Sequence, residues 1–347
     1  MNQTLHTALD RRRLLQLFGV AGGMACFPAL GAAQTKVVKP ARLQPGDRIG
    51  LVNPATAAFE TMPIEILRES LEALGLEVVL GEHYFDTRGN LAGKDEDRAS
   101  DINGFFADAS VKALLARGGW GSARVLPFLD LETIRQNPKV LIGYSDVTAL
   151  LVGIHARTGL VTFHGPQPRD ELSAEWMRRV LFDAEAPLLE NPRGITPGLT
   201  VQTEHRIQTL RGGKARGPLL GGNLTVLTAI MGSEYLPDWD GAILFLEDVN
   251  EAVYRVDRMM TQLRLAGVLD RIAGFVFGRC TDCDSGTSYG SLTLEQVLRD
   301  HIEPLGIPAF SGALIGHIPK QWTVPLGIEA ELDADRGTIQ MLEPGVV

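Results

Sequence analysis

The chain has 347 residues, 45% of them hydrophobic and 22% charged, with a formal net charge of −9. That length exceeds what one hydrophobic core usually supports, so two domains are expected, and the composition is that of an ordinary soluble globular protein. An acidic balance without a basic stripe excludes nucleic acid as a partner.

The N-terminal segment reads as a removable address. Asp10-Arg11-Arg12-Arg13-Leu14-Leu15 leads into an apolar, Gly/Ala-rich stretch that ends at Gly31-Ala32-Ala33. Twin arginines, an apolar run and a small-residue cleavage site define a twin-arginine-type export signal over residues 1–33, which predicts a periplasmic mature protein starting near Gln34. Gln16, the glycines and Pro28 make a poor bilayer span, so no stable membrane span is expected after cleavage. Cys280 and Cys283 are then the remaining cysteines. One Cys-x-x-Cys is half of a structural zinc site and no second pair exists, so neither a metal nor a cofactor is read. A local disulfide and two free thiols both stay open.

Arg48-Ile49-Gly50-Leu51-Val52 is the first predicted strand. Ile64, Leu67, Leu71 and Leu74 recur at helical spacing, and Gly75 ends that helix. Residues 76–80 read as a strand, 94–106 as a charged helix, and 111–116 as a buried strand running into Arg117-Gly118-Gly119-Trp120-Gly121-Ser122. A short helix near 123–129, a strand at 140–142, a helix over 147–157 and a strand at 161–163, closed by His164-Gly165-Pro166, complete the first part. Strands alternating with helices predict a parallel sheet with helices on both faces, and ligands bind outside the carboxyl ends of such strands. That puts the Arg117 loop, the Tyr144 turn and the His164 loop on one rim.

The pattern changes after a helix at 171–182, where prolines and glycines punctuate short runs. The expected division is an N-terminal α/β nucleophile domain over 41–170, a linker and boundary over 171–210, and a C-terminal β/α domain over 211–343. In the latter, residues 217–223 lead into a helix to 231. A strand at 242–246 ends in Glu247-Asp248, and Ala252, Val256, Met260 and Leu263 mark a long amphipathic helix. A strand at 272–277, a helix at 294–305 and a run at 310–315 lead to Gly316-His317.

Ser145 follows a strand and a tight turn and precedes a helix, where free N–H groups and the helix dipole favour negative charge. As a nucleophile it would place its oxyanion near the Asp146 N–H; as an N-cap it would only satisfy the helix. The stretch is not a G-x-S-x-G elbow, because Val147 stands at the second glycine. A serine nucleophile needs a base, and His164 and His317 both follow strand-like runs. Glu247 is the candidate to orient that base, with Asp248 as its nearer competitor and a salt bridge to Arg255 or Arg258 as the alternative use. The glycines of the Arg117 loop let backbone approach a ligand or serve a plain tight turn.

Ala116–Asp130 (ARGGWGSARVLPFLD), Lys139–Leu151 (KVLIGYSDVTALL), FHGP at 163–166, GPLLGGNLTVL at 217–227, ILFLEDVNEAVYRVDRMMTQL at 243–263 and IGHIP with VPLG at 315–327 occur in an order that resembles the LD-carboxypeptidase family of serine peptidases. The likeness runs from about Arg42 to Glu331. It implies a Ser145–Glu247–His317 triad, with His164 as a wall of the site and the N–H groups of Asp146 and Gly119 as the oxyanion hole. It implies a flavodoxin- or class I glutamine-amidotransferase-like N-terminal domain with a parallel sheet, a smaller C-terminal β/α domain, and a homodimer. The implied reaction cuts the L,D-bond of peptidoglycan tetrapeptides and releases D-Ala. Arg117 and Arg124 are candidates for the substrate carboxylate, with Gly118 and Trp120 in the same substrate-binding loop. Trp120 replaces the commoner Tyr of the family loop. The export signal departs from a cytoplasmic recycling role and points to trimming in the periplasm. Two other readings are a hydrolase of another acyl-amide, such as a peptide–nucleotide conjugate, and a non-catalytic muropeptide-binding protein. A base-stacking platform within 170–200 would favour the first, and Trp176 is its candidate there; loss of a triad residue would favour the second, and none is lost.

Overall fold

The computed structural model describes residues 36–195, 197–284 and 290–347; the export-signal stretch, 1–33, lies outside the described residues. The first sheet is built from β1 (Arg48–Val52), β2 (Glu77–Leu80), β3 (Val111–Ala116), β4 (Val140–Gly143) and β5 (Phe163–His164). Between them run α1 (Met62–Glu72), α2 (Asp95–Ala107), α3 (Leu131–Gln136) and α4 (Thr148–Thr158). The apolar stripe of α1, Ile64, Leu67 and Leu71, is buried as its spacing requires. Strands β1, β3 and β4 are buried along nearly their whole length, as parallel strands covered on both faces must be. The five strands are parallel in the order β2-β1-β3-β4-β5.

The second sheet begins after α5 (Glu171–Leu181) and contains β6 (Leu188–Leu189), β7 (Gln208–Arg211), β8 (Lys214–Asn223), β9 (Ile243–Val249), β10 (Gly274–Thr281) and β11 (Ala309–Ser311). Helices α6 (Leu224–Ala229), α7 (Val253–Leu265) and α8 (Leu294–Ile302) connect them. After β12 (Val324–Pro325), the strands β13 (Glu329–Asp333) and β14 (Thr338–Met341) complete the sheet in the order β6-β14-β13-β8-β9-β10-β11-β7. Its centre, β8 to β11, is parallel and both flanks are antiparallel.

Three features depart from the sequence expectation. The stretch 171–210 contributes β6 and most of β7's surroundings, so both edges of the second sheet start at or within it. The second sheet, in the domain expected to be the smaller, has eight strands against six. Residues 217–222, expected to lead directly into a helix, belong to the ten-residue strand β8. Their glycines are there for close packing: a Cβ on Gly221 would lie 1.8 Å from the Phe245 carbonyl oxygen, and one on Gly222 2.6 Å from Thr148 Oγ1.

The two sheets are tied together by backbone. β12 pairs antiparallel with β5 and becomes the edge of the first sheet, although it follows β11 in the chain. The Asn223 N–H, at the end of β8, donates to Thr148 Oγ1 at the start of α4 (2.9 Å). Among the described residues no helix is long and apolar enough to cross a membrane.

Candidate active site

Strand β4 ends at Gly143, Tyr144 is extended, and Ser145 then takes φ +61° before a single 3₁₀ turn opens into α4. A non-glycine residue in the left-handed region is strained, and such strain persists only where surroundings hold it. Here it lifts the hydroxyl off the end of the strand. Ser145 Oγ lies 2.8 Å from His317 Nε2, and His317 Nδ1 lies 2.8 Å from Glu247 Oε2. A carboxylate only accepts, so Nδ1 carries the proton and Nε2 is left to accept from the serine O–H.

Each member is held from behind. Glu247, on β9, is fully buried, and its Oε1 accepts from Asn223 Nδ2 at 3.1 Å. Arg255, one of the two salt-bridge partners considered for it, pairs with Glu251 instead. Asp248 does separate work: it accepts from Asn223 Nδ2, from both the N–H and the hydroxyl of Thr225, and from the Val249 N–H. Burial pushes its carboxyl up to about 6. The His317 carbonyl accepts from Thr281 Oγ1 at 2.9 Å. Gly316 has φ +130°, and a Cβ there would sit 3.2 Å from Glu247 Oε2, so the loop can pass this close only with glycine.

The Arg117 loop runs beside the serine. A Cβ on Gly118 would lie 3.5 Å from Ser145 Cβ, and one on Gly119 would collide with Thr56 Oγ1 at 2.3 Å. The Trp120 N–H donates to that same hydroxyl at 3.1 Å, while its ring is exposed. Asp146 is buried, and its side chain accepts from the Ser122 N–H (2.8 Å) while its carbonyl accepts from the Ser122 hydroxyl. This brace holds the turn after Ser145 in place; burial also pushes the Asp146 carboxyl upward.

Three expected substrate contacts are placed differently. Arg124 is committed to Asp95 in an ion pair at 2.8 Å, and Asp95 also holds the buried Arg98. Arg117 donates to the Thr56 carbonyl. His164 is fully buried between Tyr144 and Phe245, with ring centroids 6.3 and 5.5 Å away, so it packs behind the site and is not a wall of it. Sequence reasoning missed Asn223, Thr281 and Tyr144, whose ring lies 5.2 Å from that of His317. Asn223 ends a Gly-Gly-Asn run before a helix, and that cap position was its visible signal.

Cys280 and Cys283 are joined in a disulfide at the end of β10. Among the described residues, His83, Asp86 and Asp97 offer ligand atoms within 4.8 Å of one another. That cluster is accounted for by the His83–Asp86 hydrogen bond at 2.8 Å, which raises the pKa of His83.

The fold and this hydrogen-bonded line define a two-sheet α/β protein with the side-chain order that nucleophilic serine hydrolases use. The family models for the LD-carboxypeptidase N-terminal domain and C-terminal domain match residues 49–165 and 216–332. The chain is 37% identical over 310 residues to the probable murein peptide carboxypeptidase of Bacillus subtilis (strain 168), covering 89% of this chain and 95% of that one. It is 32% identical over 305 residues to the murein tetrapeptide carboxypeptidase of Pseudomonas aeruginosa, covering 84% and 95%. The solved structure of the microcin C7 self-immunity protein MccF in its wild-type apo state superposes with a TM-score of 0.80 at 28% identity, covering 89% of this chain and 100% of that one. The chain belongs to the LD-carboxypeptidase family, and it is a peptidase.

Proposed function

We propose that the protein is a serine carboxypeptidase that hydrolyses the L,D-peptide bond of peptidoglycan tetrapeptides and releases the terminal D-Ala. The continuous Ser145–His317–Glu247 hydrogen-bond line carries this reading. His317 Nε2 takes the Ser145 proton as Oγ attacks the carbonyl carbon. The resulting oxyanion is stabilised by the N–H groups of Asp146 and Gly119. His317 then passes the proton to the leaving amine of D-Ala, and the acyl-enzyme forms. Water, deprotonated by His317, cleaves the ester and restores the serine. Glu247 stays ionised throughout and stabilises the imidazolium.

The strand order β2-β1-β3-β4-β5 supports the flavodoxin-like description of the nucleophile domain. The twin-arginine-type stretch supports action in the periplasm, and the family resemblance supports a homodimer. The peptide–nucleotide reading is not favoured. Trp176, the aromatic considered for it, is buried against Trp322 with Arg179 over its ring.

The test follows D-Ala release from a disaccharide-free tetrapeptide by mass spectrometry, with Ser145→Ala beside the wild type. Release by the wild type and a drop on the order of 10⁴-fold or more in the variant is expected. Equal release by both would remove Ser145 from its role.

A further inference from the structure

The loop between β1 and α1 meets the Arg117 loop at one residue, Thr56. Its hydroxyl accepts from the Trp120 N–H at 3.1 Å, and its carbonyl accepts from the Arg117 guanidinium. Between those two anchors stand Gly118 and Gly119. A Cβ on Gly118 would lie 3.5 Å from Ser145 Cβ and 4.0 Å from Ser145 Oγ. One on Gly119 would meet Thr56 Oγ1 at 2.3 Å and Thr56 N at 3.0 Å. Ser145, the glycine pair and Thr56 therefore lie side by side in that order.

Thr56 is itself fixed on both sides. The Ala57 N–H donates to the Asn90 carbonyl at 2.9 Å, the Ala92 N–H donates to the Ala55 carbonyl at 3.0 Å, and Ala55 and Ala57 are buried. The buried Arg98 ties the same two loops a second time, donating to the Pro54 carbonyl and, at 3.2 Å, to the Gly121 carbonyl. The glycine pair contributes the opposite property. Glycine has the widest conformational choice of any residue, and Gly119 uses it at φ +145°. A backbone donor stabilises a developing charge best when it needs no reorganisation, so a donor on two glycines depends on how its flanks are pinned.

Resting on the reaction proposed above, we infer that Thr56 is a positioning residue: by holding Trp120 with its hydroxyl and Arg117 with its carbonyl, it sets the Gly119 N–H where the oxyanion of the scissile carbonyl develops. Arg117 is then one half of the clasp. Thr56 acts through Gly119 and touches no reacting atom, so its loss shifts a donor and leaves the triad in place.

Thr56→Val keeps the shape and the carbonyl and removes the hydroxyl, and Thr56→Ser puts the hydroxyl back. On the disaccharide-free tetrapeptide, Thr56→Val should lower kcat about 10- to 100-fold with KM within about twofold, the pattern of a contact made in the transition state. Thr56→Ser should return kcat to within about threefold of the wild type. The thermal midpoint of Thr56→Val should stay within a few degrees, since Trp120 is exposed and water can replace its lost acceptor. A fluorophosphonate probe reads the same donor without the peptide. Ser145 Oγ displaces fluoride from phosphorus, His317 takes the proton, and the phosphoryl oxygen stands in for the oxyanion. Its labelling rate should fall in Thr56→Val by a similar factor and recover in Thr56→Ser. Unchanged kcat and labelling in Thr56→Val, a loss that falls wholly on KM, or a loss that Thr56→Ser fails to restore overturns the inference. Labelling that follows this pattern in a chain that releases no D-Ala would sink the proposed reaction and leave Thr56 in its role.

Discussion

His317 and His164 both touch the ring of Tyr144, with centroids 5.2 and 6.3 Å away, yet they live in opposite surroundings. His317 is partly exposed and bonded through both ring nitrogens, one to a carboxylate and one to a hydroxyl. His164 is fully buried, and neither of its nitrogens has a partner among the described residues. Burial pushes its pKa down to about 4. An imidazole can act as a base only where its cation has somewhere to put its charge. Glu247 supplies that for His317. Phe245 and Tyr144 supply His164 with packing alone.

The sharpest test of this contrast is His317→Gln, for which D-Ala release should fall on the order of 10⁴-fold while the thermal midpoint stays within a few degrees. Glu247→Gln keeps the shape and removes the charge that matches the imidazolium; steady-state kinetics should show kcat lower by about 10³-fold. His164→Phe should leave kcat within a few-fold and act on stability instead. Its folded pKa of about 4 lies below the unfolded value of about 6.5, so between these the unfolded chain binds more protons and wild-type stability drops as pH falls. From pH 7 to 5 that loss is about 2 kcal/mol, and denaturant titrations at the two pH values should show it missing from the variant. A large loss of activity in His164→Phe would break the comparison. The smallest effect is expected for Thr281→Val, which removes one hydrogen bond to the His317 carbonyl: kcat should fall about two- to tenfold with KM unchanged.

Much of the fold was legible because its core strands are short, apolar and separated by amphipathic helices. β1 and β3 begin and end where their hydrophobic runs do. The serine turn and the acid closing β9 were visible for the same reason: chemistry sits where a regular element stops. Glycine misled. The Arg117 loop and β8 carry the same local signal, yet the first stays a loop beside Ser145 and the second is a central strand packed against Phe245 and Thr148. No local rule separates these, since the difference lies in what approaches from elsewhere in the chain. The sequence also could not assign arginines to partners. Arg124 meets Asp95, 29 positions away, and Arg279 meets a carbonyl. Which of two histidines would be sealed was likewise decided by Phe245, a residue of the other sheet.

The pairing of β12 with β5 has a consequence for how the protein is made. The last strand of the nucleophile sheet is encoded about 160 residues after the strand it covers (His164 to Val324), a delay of roughly 8 to 32 s at ribosomal speeds of about 5–20 residues per second. Throughout that interval β5 presents a bare hydrogen-bonding edge, the kind that recruits other chains. A truncated product ending before Val324 would carry the serine on a sheet with that edge open, whereas the complete chain closes it with its own returning segment. The synthesis of the two halves is therefore one event, and the nucleophile sheet is finished only when most of the second sheet has been made, although its first five strands come first.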